Sequence, residues 1–215
     1  MATDTNKKQN TWLLIPLFGT ITFVVLYFIA TLFYPGGSQV DQHSQGFSWM
    51  NNYWCNLLND TAINGQHNYA KPIALTAMAV LCIALAHFWY IFPGQINIKK
   101  TVRLSIQISG ITAMVAGMLL FTNQHDIIVN AAGFFGIIAM TGTFIGLHKL
   151  KWRNLLGLGI FNLILIIINN ILYYGEGLKL YLPLVQKITF LFFLLWICLI
   201  DINLFRKLNS KNRIK

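Results

Sequence analysis

Long apolar runs alternate with short polar ones along this chain, and most of the apolar runs have the length of a membrane helix. A hydrocarbon core about 30 Å thick takes about 20 residues at 1.5 Å each. Six segments meet that length, which predicts helices over Thr11 to Tyr34, Pro72 to Phe92, Val102 to Thr122, Ile127 to Leu147, Leu155 to Tyr174 and Leu182 to Phe205. The reading is an all-α fold, a polytopic bundle of six transmembrane helices forming one membrane domain over residues 1–215. Isolated polar residues interrupt the second, third and fifth segments, but no run of charges does.

Only one connection is long. Residues 35–71 separate the first two spans, and loops of this length without structure of their own are uncommon in compact domains. Within the loop, Ser48 can cap a short helix. Its Met50, Tyr53, Trp54, Leu57 and Leu58 would make an apolar stripe, and its Asn52, Cys55, Asn56 and Asn59 a polar one. The expectation is an amphipathic helix in the membrane interface, placed to cover the bundle mouth or to close over a ligand.

Positive charge orients these spans. Lys7 and Lys8, then Lys99, Lys100 and Arg103, then Lys149, Lys151 and Arg153, and finally Arg206, Lys207, Lys211, Arg213 and Lys215 fall on one side of a six-span arrangement. Lys71, Lys179 and Lys187 fall on or near the other, so thirteen of the sixteen cations agree. The positive-inside rule then places both termini in the cytoplasm. Because the clusters recur after every second span, an odd number of helices would spoil the pattern.

Composition supports the same class. Hydrophobic residues make up 56% of the chain and charged ones 10%, against roughly 25% charged in soluble domains. The net charge of +10 is no sign of nucleic-acid binding, since the cations sit in short clusters between apolar runs, where they orient loops. The first apolar run exceeds the h-region of a signal peptide, and no A-x-A-like site follows it, so it is expected to stay as a helix. Cys82 and Cys198 lie within spans and Cys55 is alone on the outer face, which implies no disulfide framework. Small residues recur along the third span, at Ser105, Ser109, Ala113 and Gly117, and along the fourth, at Gly133, Gly136, Gly142 and Gly146. Such stripes let membrane helices approach closely.

Candidate chemistry gathers on the outer side. Asp41, Asp60, Asp126 and Glu176 fall there, as do His43, His67 and His125. Asp126 and Asn130 share one helical face, and Asn162, Asn169, Tyr173 and Glu176 form a stripe along the fifth span. Polar groups on membrane helices are costly unless they face the bundle interior or a wet cavity. An outward-facing pocket is therefore expected, with Asn52, Cys55, Asn56, Asp60, His67, His125, Asp126, Asn130, Asn169, Tyr173 and Glu176 as candidates. His43, His67, His125 and Asp126 could supply three or four ligands to a divalent metal such as zinc, with a position left for water. Against this, the ligands come from separate loops without a one-helix His motif, and His125 and Asp126 serve equally as capping residues. Cys55 or Ser48 beside His67 makes no recognisable nucleophile and base pair. His87 and His148 suit either a proton route or packing. Lys187 is expected to snorkel outward or to pair with Glu176 or Asp126, and Asp201 to meet Arg206 or water.

The sequence from His125 to Gly133, His-Asp-Ile-Ile-Val-Asn-Ala-Ala-Gly, follows a first helix, a long outer loop and a short polar turn. This order resembles the bacterial family known as domain of unknown function 998. More remotely, it is similar to the six-span group that includes the Frag1, DRAM and Sfk1 proteins. The likeness covers most of the chain and implies a six-helix membrane protein, but no molecular activity.

The expected function is binding of a lipid head group or small polar ligand in the outer pocket, with membrane lipids as partners. Two alternatives stay open: a metal-dependent intramembrane hydrolase using the outer His and Asp cluster, and a small proton-coupled transporter. Richness in Ile, Asn and Lys points to a bacterial cytoplasmic membrane.

Overall fold

The computed structural model describes residues 11–122 and 124–213, without the side chains of His125, Asp126 and residues 211–213. Lys7, Lys8 and Lys215, three of the cations that orient the chain, lie outside the described residues. Regular structure among the described residues is helical, with two isolated β-bridges in the long loop. The six long helices are α1 (Ile15–Leu32), α2 (Lys71–Ile91), α3 (Lys100–Met118), α4 (His125–Lys149), α5 (Arg153–Tyr174) and α6 (Leu182–Arg213).

Proline and left-handed residues punctuate these helices. Pro16 and Pro72 sit in the first turns of α1 and α2, where a missing N–H breaks no helical bond. After α2, Phe92–Gln95 tightens into a 3-10 turn containing Pro93, which cannot continue the ladder. α4 ends differently. Lys151 has φ +60°, its N–H donates to the His148 carbonyl, and the Trp152 N–H reaches back to Leu147. Both bonds belong to a Schellman ending, which usually carries glycine at the left-handed position.

Five helical stretches are long and apolar enough to cross a membrane: Trp12–Leu32, Lys71–Gln95, Ile127–Lys149, Arg153–Tyr174 and Leu182–Ser210. The chain is built as a multi-pass membrane protein. α3 is less apolar because Lys100, Arg103, Ser105, Gln107 and Ser109 crowd its first half. It begins two residues before the sequence-predicted span and stops at Met118, where the N–H groups of Leu119 and Leu120 close a tighter turn onto Ala116 and Gly117. α6 runs past the predicted Phe205 to Arg213.

Neighbours in sequence pack as neighbours in space. α1 lies on α2, α2 on α3, α3 on α4 and α5 on α6, and α6 returns to α1, while α4 and α5 touch only lightly. Of the predicted small-residue stripe on α4, the inner half is used: a Cβ on Gly142 or Gly146 would run into Ile106 or Ile96. At Gly133 and Gly136, in the outer half, a Cβ would meet nothing. Between α5 and α6, Trp196 Nε1 donates to the Leu155 carbonyl at 2.7 Å, and Asn162 Nδ2 reaches Phe192 at 3.4 Å.

The long loop between α1 and α2 departs most from expectation. No amphipathic helix begins at Ser48. Ser48 instead closes one turn on Asn51 and Asn52, the chain extends at Tyr53, and Trp54–Leu58 forms a five-residue 3-10 helix. The cause lies in the amides. Asn52 Oδ1 accepts from the Ser48 N–H and its Nδ2 donates to Gly37, while Asn56 Oδ1 accepts from Tyr53. Short polar side chains thereby compete with the helical ladder. Half of the expected polar stripe is turned inward: Asn52 and Asn56 are buried, while Asn59 is exposed. Asn68, buried too, donates to the carbonyls of Leu57 and Asn59 and accepts from Ala70, tying the end of the loop to its middle.

Candidate functional site

Two aromatic residues one turn apart on α1 begin the site. Phe23 and Tyr27 face inward, fully or almost fully buried. The Trp54 indole lies parallel to the Tyr27 ring, with centroids 4.7 Å apart, and Phe190 of α6 completes the group at 5.6 Å from both Trp54 and Phe23. Such offset ring pairs contribute about 0.5–1.5 kcal/mol each beyond the area they bury. Polar contacts hold the loop over them: Tyr27 Oη donates to the Trp54 carbonyl at 3.2 Å, and the Trp54 N–H donates to Gln186 Oε1 at 3.3 Å.

Beside this aromatic group, at the end of the bundle that the long loop covers, lies a cavity of about 420 Å³. Trp54, Cys55 and Leu58 roof it, Met78 of α2 and Leu120 wall it, and Gln186 and Phe190 extend it along α6. Its polar lining is mostly carboxamide and phenol: Asn130 from α4, and Asn169, Asn170, Tyr173 and Tyr174 from α5. Leu182 and Phe190 both line it, and eight residues of helix carry it about 12 Å inward from the outer end of α6. On the α4 and α5 side, where the two helices barely touch, Val129, Asn130, Asn170 and Tyr174 are exposed. The cavity therefore opens sideways, toward the surroundings of the bundle.

The carboxamides on α5 divide their work. Asn169 Nδ2 donates to the Leu165 carbonyl at 2.9 Å and to Thr189 Oγ1 at 2.5 Å, joining α5 to α6. Asn170 Nδ2 donates to Ile166 at 2.9 Å. With their N–H groups turned to the helix, both residues have side-chain oxygens left to accept from a ligand.

Of the sequence-predicted pocket residues, Cys55, Asn130, Asn169 and Tyr173 line the cavity. Asn52 and Asn56 do not, because they hold the loop together from inside. Asp60 lies out on the surface and pairs with Lys71 at 2.5 Å. His67 is exposed with its ring edge-on to Tyr69, and Glu176 is exposed beyond the end of α5. The side chains of His125 and Asp126 lie outside the described residues. His43 occupies an exposed turn closed by Asp41, and among the described residues no three His, Cys, Asp or Glu groups converge as metal ligands.

Two other polar residues correct the sequence reading. Lys187 does not snorkel outward: it is 8% exposed, donates to the carbonyls of Asn52 and Pro183, and lies 5.5 Å from the Phe47 ring. The loop supplied one acceptor, Asn52, that a hydropathy reading could not see, and the first turn of α6 supplied the other. Asp201 does not reach Arg206, being buried with no ion-pair partner among the described residues. His87 Nε2 sits 2.9 Å from the Trp12 carbonyl, while His148 is exposed at the inner end of α4.

Cys55 is the thiol at the roof. Burial pushes its thiol up to about 11, only partly offset by its own backbone hydrogen bond and by the nearby Lys187 ammonium. Burial likewise raises the Tyr34 and Tyr53 phenols. At neutral pH the roof therefore presents a neutral thiol, and the loop around it holds neutral phenols. Sequence reasoning missed Phe23, Tyr27, Trp54 and Phe190 as a group. The spacing of Phe23 and Tyr27 on one face of α1 was the available signal. No family model, curated protein or solved structure matches the chain.

Proposed function

We propose that this protein binds an amphiphile of the outer membrane leaflet, its apolar part on the Phe23, Tyr27, Trp54 and Phe190 rings and its polar head against Asn130, Asn169, Asn170 and Tyr173. The carrying observation is the cavity, at about 420 Å³. Its volume is within the roughly 300–1,000 Å³ usual for small-molecule sites. The mixture of aromatic and carboxamide lining fits a lipid-like molecule better than the small polar ligand that a wholly polar pocket would take. A mouth between α4 and α5 suits a ligand that arrives through the bilayer.

The same reading takes α3 as a sixth span, with both termini in the cytoplasm and a bacterial cytoplasmic membrane as the setting. Nineteen residues of α3 cover about 28 Å. Its outward side carries Val102, Leu104, Ile108, Val115 and Met118, apolar groups suited to lipid.

Native mass spectrometry of gently solubilised protein tests the binding reading. The wild type is expected to retain a co-purified lipid. Asn170→Trp, which places a large ring at the exposed mouth and leaves the aromatic group intact, should lose it. A wild type that retains no lipid, or a variant that retains it equally, counts against the cavity as a lipid site.

A further inference from the structure

The cavity under the long loop is polar without being charged. Among the described residues its lining holds no Lys, Arg, His, Asp or Glu. Its hydrogen-bonding groups are the carboxamides of Asn130, Asn169, Asn170 and Gln186, tyrosine phenols and the Cys55 thiol. Two cations come close without joining the lining. Lys187 gives its N–H groups to the Asn52 and Pro183 carbonyls. Lys179, in the turn after α5, lies over the Tyr173 ring at 5.5 Å from its centroid. An anionic head group needs what this lining lacks, because a phosphate that leaves water is stable only against fixed positive charge or several donors.

The direction of the carboxamide hydrogen bonds narrows the head group further. Asn169 and Asn170 donate to the Leu165 and Ile166 carbonyls one turn back, and Asn169 donates to Thr189 as well. The end each presents to a ligand is therefore its oxygen, which accepts. Gln186 Oε1 already accepts from the Trp54 N–H, and Asn130, from α4, can donate as well as accept. An ionised phosphate presents chiefly acceptors and would set them against the Asn169 and Asn170 oxygens. A hydroxyl satisfies both kinds of partner, donating to one carboxamide oxygen and accepting from a carboxamide N–H.

We propose that the amphiphile held in this cavity is an uncharged, hydroxyl-bearing lipid of the glyceride, glycolipid or long-chain alcohol kind, whose hydroxyl donates to Asn169 or Asn170 Oδ1. The proposal rests on the lipid-binding reading above and narrows it to one chemical class of head group. Selection works by exclusion as much as by attraction: an anionic phospholipid would bury its charge unpaired, so a neutral lipid occupies the site even where phospholipid is in excess.

Competition on the delipidated full chain, read by native mass spectrometry, tests the class. 1,2-Dioleoylglycerol and dioleoyl phosphatidic acid share both tails and differ by one phosphoryl group. The 3-O-methyl ether of the diglyceride keeps the oxygen but cannot donate. Binding at the site is what the wild type shows and Asn170→Trp, blocked at the mouth, does not. At equal concentrations, dioleoylglycerol should occupy the site about tenfold more than either competitor. Asn170→Lys, which brings a cation to the mouth, should shift the preference toward phosphatidic acid by about tenfold. Should that variant fail to fold, the three-lipid comparison on the wild type decides. Phosphatidic acid bound as well as the diglyceride, or the ether bound as well as the free alcohol, overturns this proposal and leaves the cavity a lipid site of another class. An Asn170→Lys protein that keeps the wild-type preference overturns it too. Binding of all three lipids no greater than in Asn170→Trp removes the lipid-binding reading itself, and this proposal with it.

Discussion

Cys55 and Lys187 oppose each other at the cavity roof. Burial disfavours the Cys55 thiolate, the Lys187 ammonium favours it, and burial wins, leaving the thiol at about 11 against an ordinary 9.0. Two units leave about a hundredfold less thiolate at pH 8, while the more basic thiolate recovers about tenfold in intrinsic reactivity. Alkylation of Cys55 in the folded protein should therefore be about tenfold slower than in the unfolded chain at pH 8, and should keep rising with pH to about 11. A rate that levels off near pH 9 would contradict the buried roof. Lys187→Met separates charge from anchoring. Removing the ammonium alone would slow alkylation by raising the thiol further. Removing it also leaves the Asn52 and Pro183 carbonyls without this donor, at about 1–3 kcal/mol for buried groups. The loop should loosen, and Cys55 should react faster despite the lost charge. Slower alkylation, with the loop still resistant to protease, would show that Lys187 acts through charge only.

The elements differ in how plainly the sequence announced them. α1, α2, α4, α5 and α6 were legible because twenty apolar residues in water-free surroundings have few alternatives to a helix. The loop helix was not legible, because amphipathic spacing takes no account of what Asn52 and Asn56 bond to. Their carboxamides find Ser48, Gly37 and Tyr53 only once the loop folds. Candidate residues followed the same division. Asn130, Asn169 and Tyr173, fixed by helical phase, fell at the cavity, whereas Asp60 and His67, read from charge and side of the membrane, lie out on the surface, as does Glu176, where the helical phase was carried past the end of α5 at Tyr174. The ending of α4 yields a test at this scale. Lys151 occupies a left-handed position at φ +60°, which costs a side-chain-bearing residue roughly 1 kcal/mol. Lys151→Gly is therefore expected to raise thermal stability by about 0.5–1 kcal/mol, offset only slightly by greater freedom in the unfolded chain. A lower melting temperature would indicate that the Lys151 side chain makes a stabilising contact larger than the strain.

Whether α3 crosses the bilayer decides the geometry of the whole molecule. If it crosses, the chain makes six passes, the turns at Lys99–Arg103 and Lys149–Arg153 fall on one side, and Ser210, exposed near the end of α6, faces the cytoplasm. If it lies along the inner surface, the order of passes reverses after it. The Lys149–Arg153 turn and the C-terminal cations would then face outward, against the positive-inside rule. The close fit of Gly142 and Gly146 on α4 against Ile106 and Ile96 runs along the inner half of α3 and its approach. A helix lying flat on the surface would lose that pairing with a spanning α4. In whole cells, a membrane-impermeant thiol reagent should label Asp41→Cys directly, and should label Ser210→Cys only after the membrane is permeabilised, with Cys55 kept slow by its buried roof. Labelling of Ser210→Cys in intact cells would reduce the count to five and place the C-terminal end of α6 outside. The outer cavity would still be roofed by the loop, but its α4 and α5 walls would need to invert, so this result would also undo the proposed mouth in the outer leaflet.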